Sequence, residues 1–272
     1  MSWGPLLINL GATMLAVAVT MALTMAYALH TREQSIVDTI WGLGFVVVAA
    51  VSFLLSFGDG DATRRWLVLA LTGIWGIRLG AYIFVRNRGK GEDPRYAALL
   101  RRNQGKLVPY VIRTIYWPQG AIMWIVSLPV QVAMYETGST GAGIGLVTWV
   151  GVGLWVIGLA FEAIGDAQLA RFKADPANQG KLMDRGLWAW TRHPNYFGDS
   201  VVWFGLFLLA CSHWAGLITI ISPVLMTHML VNKSGKALLE RRMSRARGEA
   251  YTAYAARTSG FFPRPPRQRA AV

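Results

Sequence analysis

Long apolar stretches separated by polar segments run along almost the whole of this 272-residue chain. A transmembrane helix needs about 20 mostly apolar residues to cross the hydrocarbon core of a bilayer. The pattern predicts seven such helices, over residues 5–28, 37–57, 65–85, 112–134, 144–165, 197–212 and 214–232. The sixth of these spans is short, and the third contains an arginine. We therefore predict an all-α, polytopic membrane protein, with residues 1–272 forming a single integral membrane domain that is a seven-transmembrane-helix bundle.

The composition supports this class and excludes several kinds of site. Hydrophobic residues make up 54% of the chain and charged residues 15%, whereas soluble domains carry about 25% charged residues. The single cysteine, Cys211, excludes a disulfide framework and a thiolate metal site. The four histidines never pair with a carboxylate at i,i+4 spacing, so we predict no metal site.

The basic residues are distributed unevenly between the two sides of the predicted membrane. With the N-terminus outside, 24 of the 27 Lys and Arg residues fall in cytosolic segments, Arg64 and Arg65 lie outside, and Arg78 lies within a span. By the positive-inside rule, the C-terminus is cytoplasmic and the protein is a multi-pass protein of the cell inner membrane. Residues 1–31 contain no Lys or Arg, so the first stretch lacks the basic region of a signal peptide and is interpreted as a retained helix.

The net charge of +13 also bears on partners. It predicts contact with anionic membrane lipid and no nucleic-acid partner, because the basic residues form no separate domain with interleaved aromatic residues. No pattern in the chain predicts an oligomeric state.

The segment Thr191–Asp199 concentrates a cation, an imidazole, an amide, a phenol and a carboxylate at the start of the sixth span. Polar groups at a membrane boundary must be satisfied away from water, so such clusters indicate functional sites. Its candidate ligand-binding residues are Arg192, His193, Asn195, Tyr196 and Asp199.

Three other segments on the predicted cytosolic side carry candidate binding residues, each with a structural alternative. The 86–96 segment combines glycines with bases that suit phosphates, but it also fits a plain positive-inside anchor. Glu162 and Asp166 share a helix face, where they either bind hydroxyl or amide groups or form a salt-bridged helix end. Tyr251 and Tyr254 lie on one face of an amphipathic helix, either over a ligand or in an interfacial tyrosine belt.

Together these motifs resemble a superfamily of polytopic membrane enzymes that includes steroid 5-alpha-reductases, sterol C14-reductases and isoprenylcysteine carboxyl methyltransferases. The resemblance rests on Arg-His-Pro-Asn-Tyr-Phe-Gly-Asp at 192–199 and on Glu240, Gly248, Tyr251 and Tyr254 in a Glu-x7-Gly-x2-Tyr-x2-Tyr pattern. The runs at 35–42 and 87–90 look specifically like an uncharacterised bacterial branch of the steroid 5-alpha-reductase-like family.

This resemblance implies a cytosol-facing cofactor cavity that holds NADPH and a lipophilic enone, steroid-like or another lipid, that enters from the bilayer. It implies an NADPH-dependent oxidoreductase acting on CH–CH groups, with residues 233–272 as a cytosolic C-terminal segment that completes the cofactor site. The implied cofactor-binding residues are Asn87, Arg88, Lys90, Asp166, Arg171, Lys173, Arg192, His193, Asn195, Tyr196, Asp199, Glu240 and Tyr251.

Reduction of an activated C=C bond needs a dry pocket for the hydride donor and a group that stabilises the enolate oxygen. Asp38, in its neutral form, and Tyr116 are the candidate catalytic donors. The alternative for Asp38 is a structural role at the start of the second helix, where Ser35 is a suitable N-cap.

Two other functions compete with the reductase. The first is an S-adenosylmethionine-dependent methyltransferase acting on a lipid or isoprenoid, since the 192–196 and tail patterns are shared with that branch. The second is a non-enzymatic scaffold or transporter, which fits less well because the polar residues crowd one membrane face instead of the midplane.

Overall fold

The computed structural model describes residues 2–137, 145–233 and 235–266. The predicted start of the fifth span at 144 and the end of the C-terminal segment beyond 266 lie outside the described residues. Apart from one isolated β-bridge, the regular structure of the described chain is helical. Its α-helices are α1 (Trp3–Thr31), α2 (Ile36–Leu55), α3 (Ala62–Asn87), α4 (Pro94–Leu100), α5 (Leu107–Val111), α6 (Trp117–Val126), α7 (Leu128–Ala133), α8 (Leu146–Ala174), α9 (Leu187–Trp190), α10 (Pro194–Leu209), α11 (Trp214–Ile218), α12 (Ile221–His228) and α13 (Lys236–Arg257).

Five helical segments in the described part of the chain are long and apolar enough to cross a membrane. They are α1, α2, α3, α8 and the segment Trp214–Arg257, whose apolar residues precede α13. A multi-pass membrane protein built from α-helices is therefore confirmed. The structure does not confirm seven spans, because the predicted fourth span consists of several short helices and the predicted sixth span is a helix of 16 residues.

The predicted fourth span, 112–134, consists of several short helices instead of one. A π-helical turn covers Ile112–Tyr116. The second residue of α6 is Pro118, and the second residue of α7 is Pro129. Proline has no N–H to donate to the preceding turn, so the helix is interrupted at each of them. The predicted sixth span corresponds to α10, which has 16 residues and is about 24 Å long, shorter than the hydrocarbon core.

The chain packs into two compact units, one formed by residues 1–148 and 207–222 and the other by 149–206 and 223–272. In the first unit, α2 and α3 approach closely at glycines. A Cβ atom on Gly42 would lie only 2.5 Å from the carbonyl oxygen of Gly76. Small residues allow such close approach between helices in a membrane.

Buried polar groups also tie the first unit together. Arg64 is 2% exposed, and its guanidinium donates to Glu136 Oε2 at 2.7 Å, Ser212 Oγ at 2.6 Å and the Leu209 carbonyl at 2.8 Å. Arg65 donates to Ser56 Oγ at 2.8 Å. Both arginines that the sequence assigns to the outside are thus engaged in internal contacts.

In the second unit, α8 packs against α10 through another glycine contact. A Cβ atom on Gly158 would lie 2.6 Å from the Gly198 carbonyl oxygen, and one on Gly198 would lie 2.5 Å from the Glu162 nitrogen. This close approach sets the first turns of α10, which carry Asn195 and Asp199, beside the helix that carries Asp166.

Candidate functional site

The segment that precedes α10 lies beside the C-terminal tail within the second unit. Thr191 and Ser259 form the isolated parallel β-bridge, and the Arg192 N–H donates to the Ser259 carbonyl at 2.9 Å. The Thr191 hydroxyl also donates to the Phe261 carbonyl at 2.8 Å. The tail after α13 is therefore fixed against the start of the predicted motif, which agrees with the sequence pattern linking the two segments.

Arg192 connects this motif to both ends of the tail helix. Its Nε donates to Glu240 Oε1 at 2.9 Å near the start of α13, and its Nη1 donates to the carbonyls of Ala255 at 3.1 Å and Thr258 at 2.7 Å at the end. A cation at helix C-terminal carbonyls is favoured by the helix dipole and by the unpaired acceptors there. Arg192 thus positions α13 in this structure.

His193 shares the same carboxylate. Its Nε2 lies 3.2 Å from Glu240 Oε1, and its ring stacks on Tyr196 with the ring planes 2° apart. Burial by itself favours the neutral acid, but hydrogen bonds from His193 and Arg192, together with the Arg192 charge, lower the pKa of Glu240 to about 2. Burial lowers the pKa of His193, although Glu240 opposes that shift. Glu240 is therefore a stable anion at neutral pH that contacts the Arg192 guanidinium and the His193 ring.

An amide and a carboxylate meet next to this cluster. Asn195 Nδ2 donates to Asp166 Oδ1 at 3.1 Å, joining the first turn of α10 to α8. Asp166 is 3% exposed and Asp199 is 6% exposed. The sequence prediction that Asp166 and Asn195 belong to one site is consistent with this direct contact.

The tail helix bends where the sequence pattern places its glycine. Gly248 has φ +48° and ψ −121°, a conformation that residues with a Cβ atom rarely adopt, and it kinks α13. Beyond the kink, Tyr251 and Tyr254 are buried, and the Tyr254 hydroxyl donates to the Trp188 carbonyl at 2.6 Å. Burial, followed by the charge on Glu240, raises the pKa of Tyr251, which places this phenol beside the Arg192–Glu240 pair.

In the first unit, Asp38 is a hydrogen-bond acceptor. Its Oδ2 accepts from Arg95 Nη2 at 2.6 Å, and its Oδ1 accepts from the Tyr96 hydroxyl at 2.6 Å. Gln119 Nε2 donates to the Tyr96 oxygen at 3.2 Å. The sequence predicts Asp38 as a donor in its neutral form, and in this structure its two oxygens accept from Arg95 and from the Tyr96 hydroxyl.

Tyr96 is held in its protonated form by this environment. Burial, the charge on Asp38 and the hydrogen bond to it raise the pKa of Tyr96 well above its usual value. For Arg95, burial acts to lower the pKa, but the hydrogen bond to Asp93 and the charges of Asp38 and Asp93 raise it overall. Asp38 thus lies between a permanent cation, Arg95, and a neutral phenol, Tyr96.

Tyr116, the second candidate donor, is engaged elsewhere in the same unit. Its hydroxyl donates to Gln34 Oε1 at 2.8 Å, and only 4% of the residue is exposed. The Gln34 and Ser35 backbone N–H groups both donate to the carboxylate of Glu92, the Ser35 bond being 3.0 Å long. Ser35 itself makes no side-chain cap, so Glu92 performs that role at the start of α2.

The remaining predicted residues of the first unit lie at the end of α3. Asn87 is the last residue of α3, and its Oδ1 accepts from Arg86 Nε at 3.1 Å. Arg88 is the C-cap of that helix, and the Lys90 ammonium donates to the Arg86 carbonyl. Both Arg88 and Lys90 are exposed. They form a basic surface at the end of the helix.

Arg171 and Lys173 occupy the last turn of α8 in the second unit, where both are exposed. Arg171 lines an open groove of about 350 Å³, together with Gln168, Phe172, Asn178, Met183, Arg185 and Gly186. None of these residues takes part in the Arg192–His193–Glu240 contacts described above.

Sequence reasoning missed Tyr96 and Arg95 as partners of Asp38, and Gln119 as a partner of Tyr96. They are separated from Asp38 by more than 50 residues. A local motif cannot reveal such a pairing. The available signal was the Asp93-Pro94-Arg95-Tyr96 run, in which Pro94 starts α4 and Asp93 caps it.

The donor set of the second unit fits a nucleotide cofactor such as NADPH. The Asn195 amide and the Asp166 carboxylate offer partners for hydroxyl and carboxamide groups. No group of three or more His, Cys, Asp or Glu side chains suited to a metal ion occurs among the described residues.

Comparison with known proteins gives the family. Residues 24–258 match the family described as "Protein of unknown function (DUF1295)", and the chain belongs to this family. It is also 24% identical over 270 residues to a protein of Schizosaccharomyces pombe described as uncharacterised, an alignment that covers 86% of this chain and 74% of the relative. No solved structure matches the chain.

Proposed function

We propose that this protein is a membrane-embedded, NADPH-dependent reductase of the C=C bond of a lipophilic enone. The proposal includes a seven-span bundle in the cell inner membrane, with the N-terminus outside and a cofactor cavity open to the cytosol. It also places the chain in the bacterial branch of the steroid 5-alpha-reductase-like proteins that its motifs resemble.

The observation that carries the proposal is the Tyr96 phenol held between Asp38 and Gln119. Reduction of an enone needs a proton donor as well as a hydride donor, because charge develops on the carbonyl oxygen as the hydride arrives. A phenol that stays protonated at neutral pH, with its oxygen oriented by an amide, suits that task. Methyl transfer from S-adenosylmethionine needs no such acid, so this feature favours the reductase.

The residues of the second unit have the cofactor-binding role in this proposal. Asn195 and Asp166 bind polar groups of the nucleotide, while Arg192 and Glu240 hold the tail helix in place around it. When bound, NADPH supplies a hydride to the β-carbon of the enone.

The Tyr96 phenol stabilises the enolate in this proposal. Its hydroxyl turns from Asp38 to donate a hydrogen bond to the carbonyl oxygen as charge develops there, and it stays protonated. The α-carbon of the enolate then takes a proton from solvent. One hydride and one proton are thus added across the double bond.

The test is Tyr96→Phe, assayed by enone-dependent NADPH oxidation in the purified protein. We expect the turnover rate to fall about 100-fold or more, the usual contribution of a positioned acid, while NADPH affinity is unchanged. Tyr110→Phe is the matched control, since the Tyr110 hydroxyl donates only to the Leu99 carbonyl at 2.8 Å. Equal rates in wild type and Tyr96→Phe would contradict the assignment of Tyr96.

A further inference from the structure

The groove at the end of α8 has a lining suited to an anion. Two of its residues, Arg171 and Arg185, carry guanidinium groups, and Gln168 and Asn178 add amides. Within the part of the chain that the structure describes, no acidic residue lines the groove. Guanidinium groups bind phosphate oxygens through paired N–H donors.

The wall of the groove is preorganised by contacts among its own residues. The Arg185 guanidinium lies over the Phe172 ring, 5.7 Å from its centroid, and donates to Asn178 Oδ1 at 3.3 Å. Asn178 in turn donates to the Phe172 carbonyl at 3.2 Å. Arg185 is therefore already oriented before any ligand binds.

The nearby carboxylates are occupied elsewhere. Asp175 accepts from the Ala177 N–H at 2.9 Å and from Asn178, and Asp184 forms an ion pair with Arg257. Arg247 donates to the Gly180 carbonyl, so the loop that follows α8 is attached to α13 at two points. Asp184 is therefore paired with a cation outside the groove, and Asp175 is directed to neutral N–H donors instead of to Arg171 or Arg185.

The length of α8 places the groove at the depth of lipid headgroups. The helix has 29 residues and is about 43 Å long, whereas the hydrocarbon core is about 30 Å thick. Its first 20 or so residues are mostly apolar and account for that thickness. Gln168, Arg171 and Phe172 follow them, in the layer that lipid phosphates occupy.

We propose that this groove binds the phosphate group of an anionic membrane lipid, with phosphatidylglycerol as the test ligand. Arg171 and Arg185 bind the phosphate oxygens, and Phe172 and Met183 contact the apolar part of the lipid below the headgroup. This assigns Arg171 to lipid, in place of the cofactor phosphates that the family resemblance implies. The inference does not depend on the reductase activity.

The experiment uses the full chain in mixed detergent micelles with increasing fractions of phosphatidylglycerol or phosphatidylcholine. We expect phosphatidylglycerol to raise the midpoint of heat unfolding, because a ligand of the native state stabilises it. In Arg171→Gln and in Arg185→Gln, the lipid fraction that gives half of the shift should rise about fivefold, the usual effect of one basic residue near an anionic surface. Arg171→Lys should retain most of the response.

Arg245→Gln is the matched control, because it removes an exposed arginine of α13 that is not part of the groove. Its lipid response should equal that of the wild type. The same shift with phosphatidylcholine, or an unchanged response in both groove variants, would overturn the proposal.

Two soluble probes separate the lipid from other phosphates. A shift produced by inorganic phosphate alone and lost in Arg171→Gln would identify a free-phosphate site and contradict the lipid assignment. Loss of NADPH protection in Arg171→Gln would instead assign the groove to the nucleotide. If NADPH protects neither protein, the reductase proposal fails while the lipid titration still decides this one.

Discussion

The side-chain amide of Asn195 joins α10 to α8 by a hydrogen bond to Asp166. We propose that both residues bind the cofactor. We predict that Asn195→Ala weakens NADPH binding about tenfold without loss of folded yield, since a hydrogen bond to a charged group contributes about 1.5–3 kcal/mol. The measurement is NADPH titration followed by the midpoint of heat unfolding.

Asn103→Ala is the matched control for that substitution, because the Asn103 side chain only accepts from the Gly105 N–H on the surface. If Asn195→Ala lowered the folded yield and left NADPH affinity unchanged, the motif would be structural.

Glu240 gives a pH dependence whose sign follows from its environment. Its folded-state pKa of about 2 lies below the ordinary value of 4.5, so the stability that it contributes is complete above pH 4.5 and is lost as the pH falls toward 2. We predict that Glu240→Gln lowers the midpoint of heat unfolding at pH 6, and that the difference from wild type shrinks between pH 4.5 and 3.

Burial lowers the pKa of His193, so its protonation costs stability below about pH 6.5, and Glu240 opposes that shift. Glu240→Gln therefore also changes the His193 contribution, and the comparison is made in a His193→Gln background. A difference that stays constant from pH 6 to 3 would show that Glu240 is not held as an anion.

At the residue scale, the sequence predicts which side chains belong together better than it predicts what each one does. The direct contact between Asp166 and Asn195 accords with a prediction based on the motif alone. Arg192 donates to Glu240 and to carbonyls of the tail, contacts that the motif does not predict, and its contact with a cofactor stays a prediction. The partner of a guanidinium depends on tertiary packing, which a local pattern does not contain.

At the scale of helices, the α8–α10 contact depends on the absence of a side chain at Gly158. A Cβ atom there would lie 2.6 Å from both the Gly198 carbonyl oxygen and the Val202 nitrogen. We predict that Gly158→Ala destabilises the protein by about 1–3 kcal/mol, the usual cost of overpacking. The measurement is heat unfolding in detergent.

Gly153→Ala in the same helix is the control, since a Cβ atom at Gly153 meets nothing within 4 Å. Alanine is the better helix former, so this variant should be neutral or slightly stabilised. Equal effects of the two substitutions would show that close packing at Gly158 does not govern this contact.

The hydropathy pattern predicts some of the helices correctly and misses a break in another. The first three spans and the fifth correspond to α1, α2, α3 and α8, because long apolar runs without proline beyond the first helical turn leave the backbone no alternative to a helix in a bilayer. The 112–134 stretch is equally apolar, but Pro118 and Pro129 interrupt it. Hydropathy averages over such breaks, and therefore it predicted one helix there.

At the scale of the whole molecule, the uneven charge predicts the orientation, and the structure adds that Arg64 and Arg65 are buried. In a Cys211→Ser background, a membrane-impermeant maleimide should label Thr63→Cys in intact spheroplasts. It should label Lys181→Cys only after permeabilisation, because cytosolic segments carry the Lys and Arg excess. The reverse labelling pattern would contradict the predicted topology.

We propose that the second unit binds NADPH, and protection against heat tests this binding. The detergent-solubilised full chain is unfolded with NADPH, with S-adenosylmethionine and without ligand. At 100 times the dissociation constant, a ligand adds about 2.7 kcal/mol to the stability of the native state. We expect a higher unfolding midpoint with NADPH and no change with S-adenosylmethionine. Protection by S-adenosylmethionine and none by NADPH would overturn the proposal.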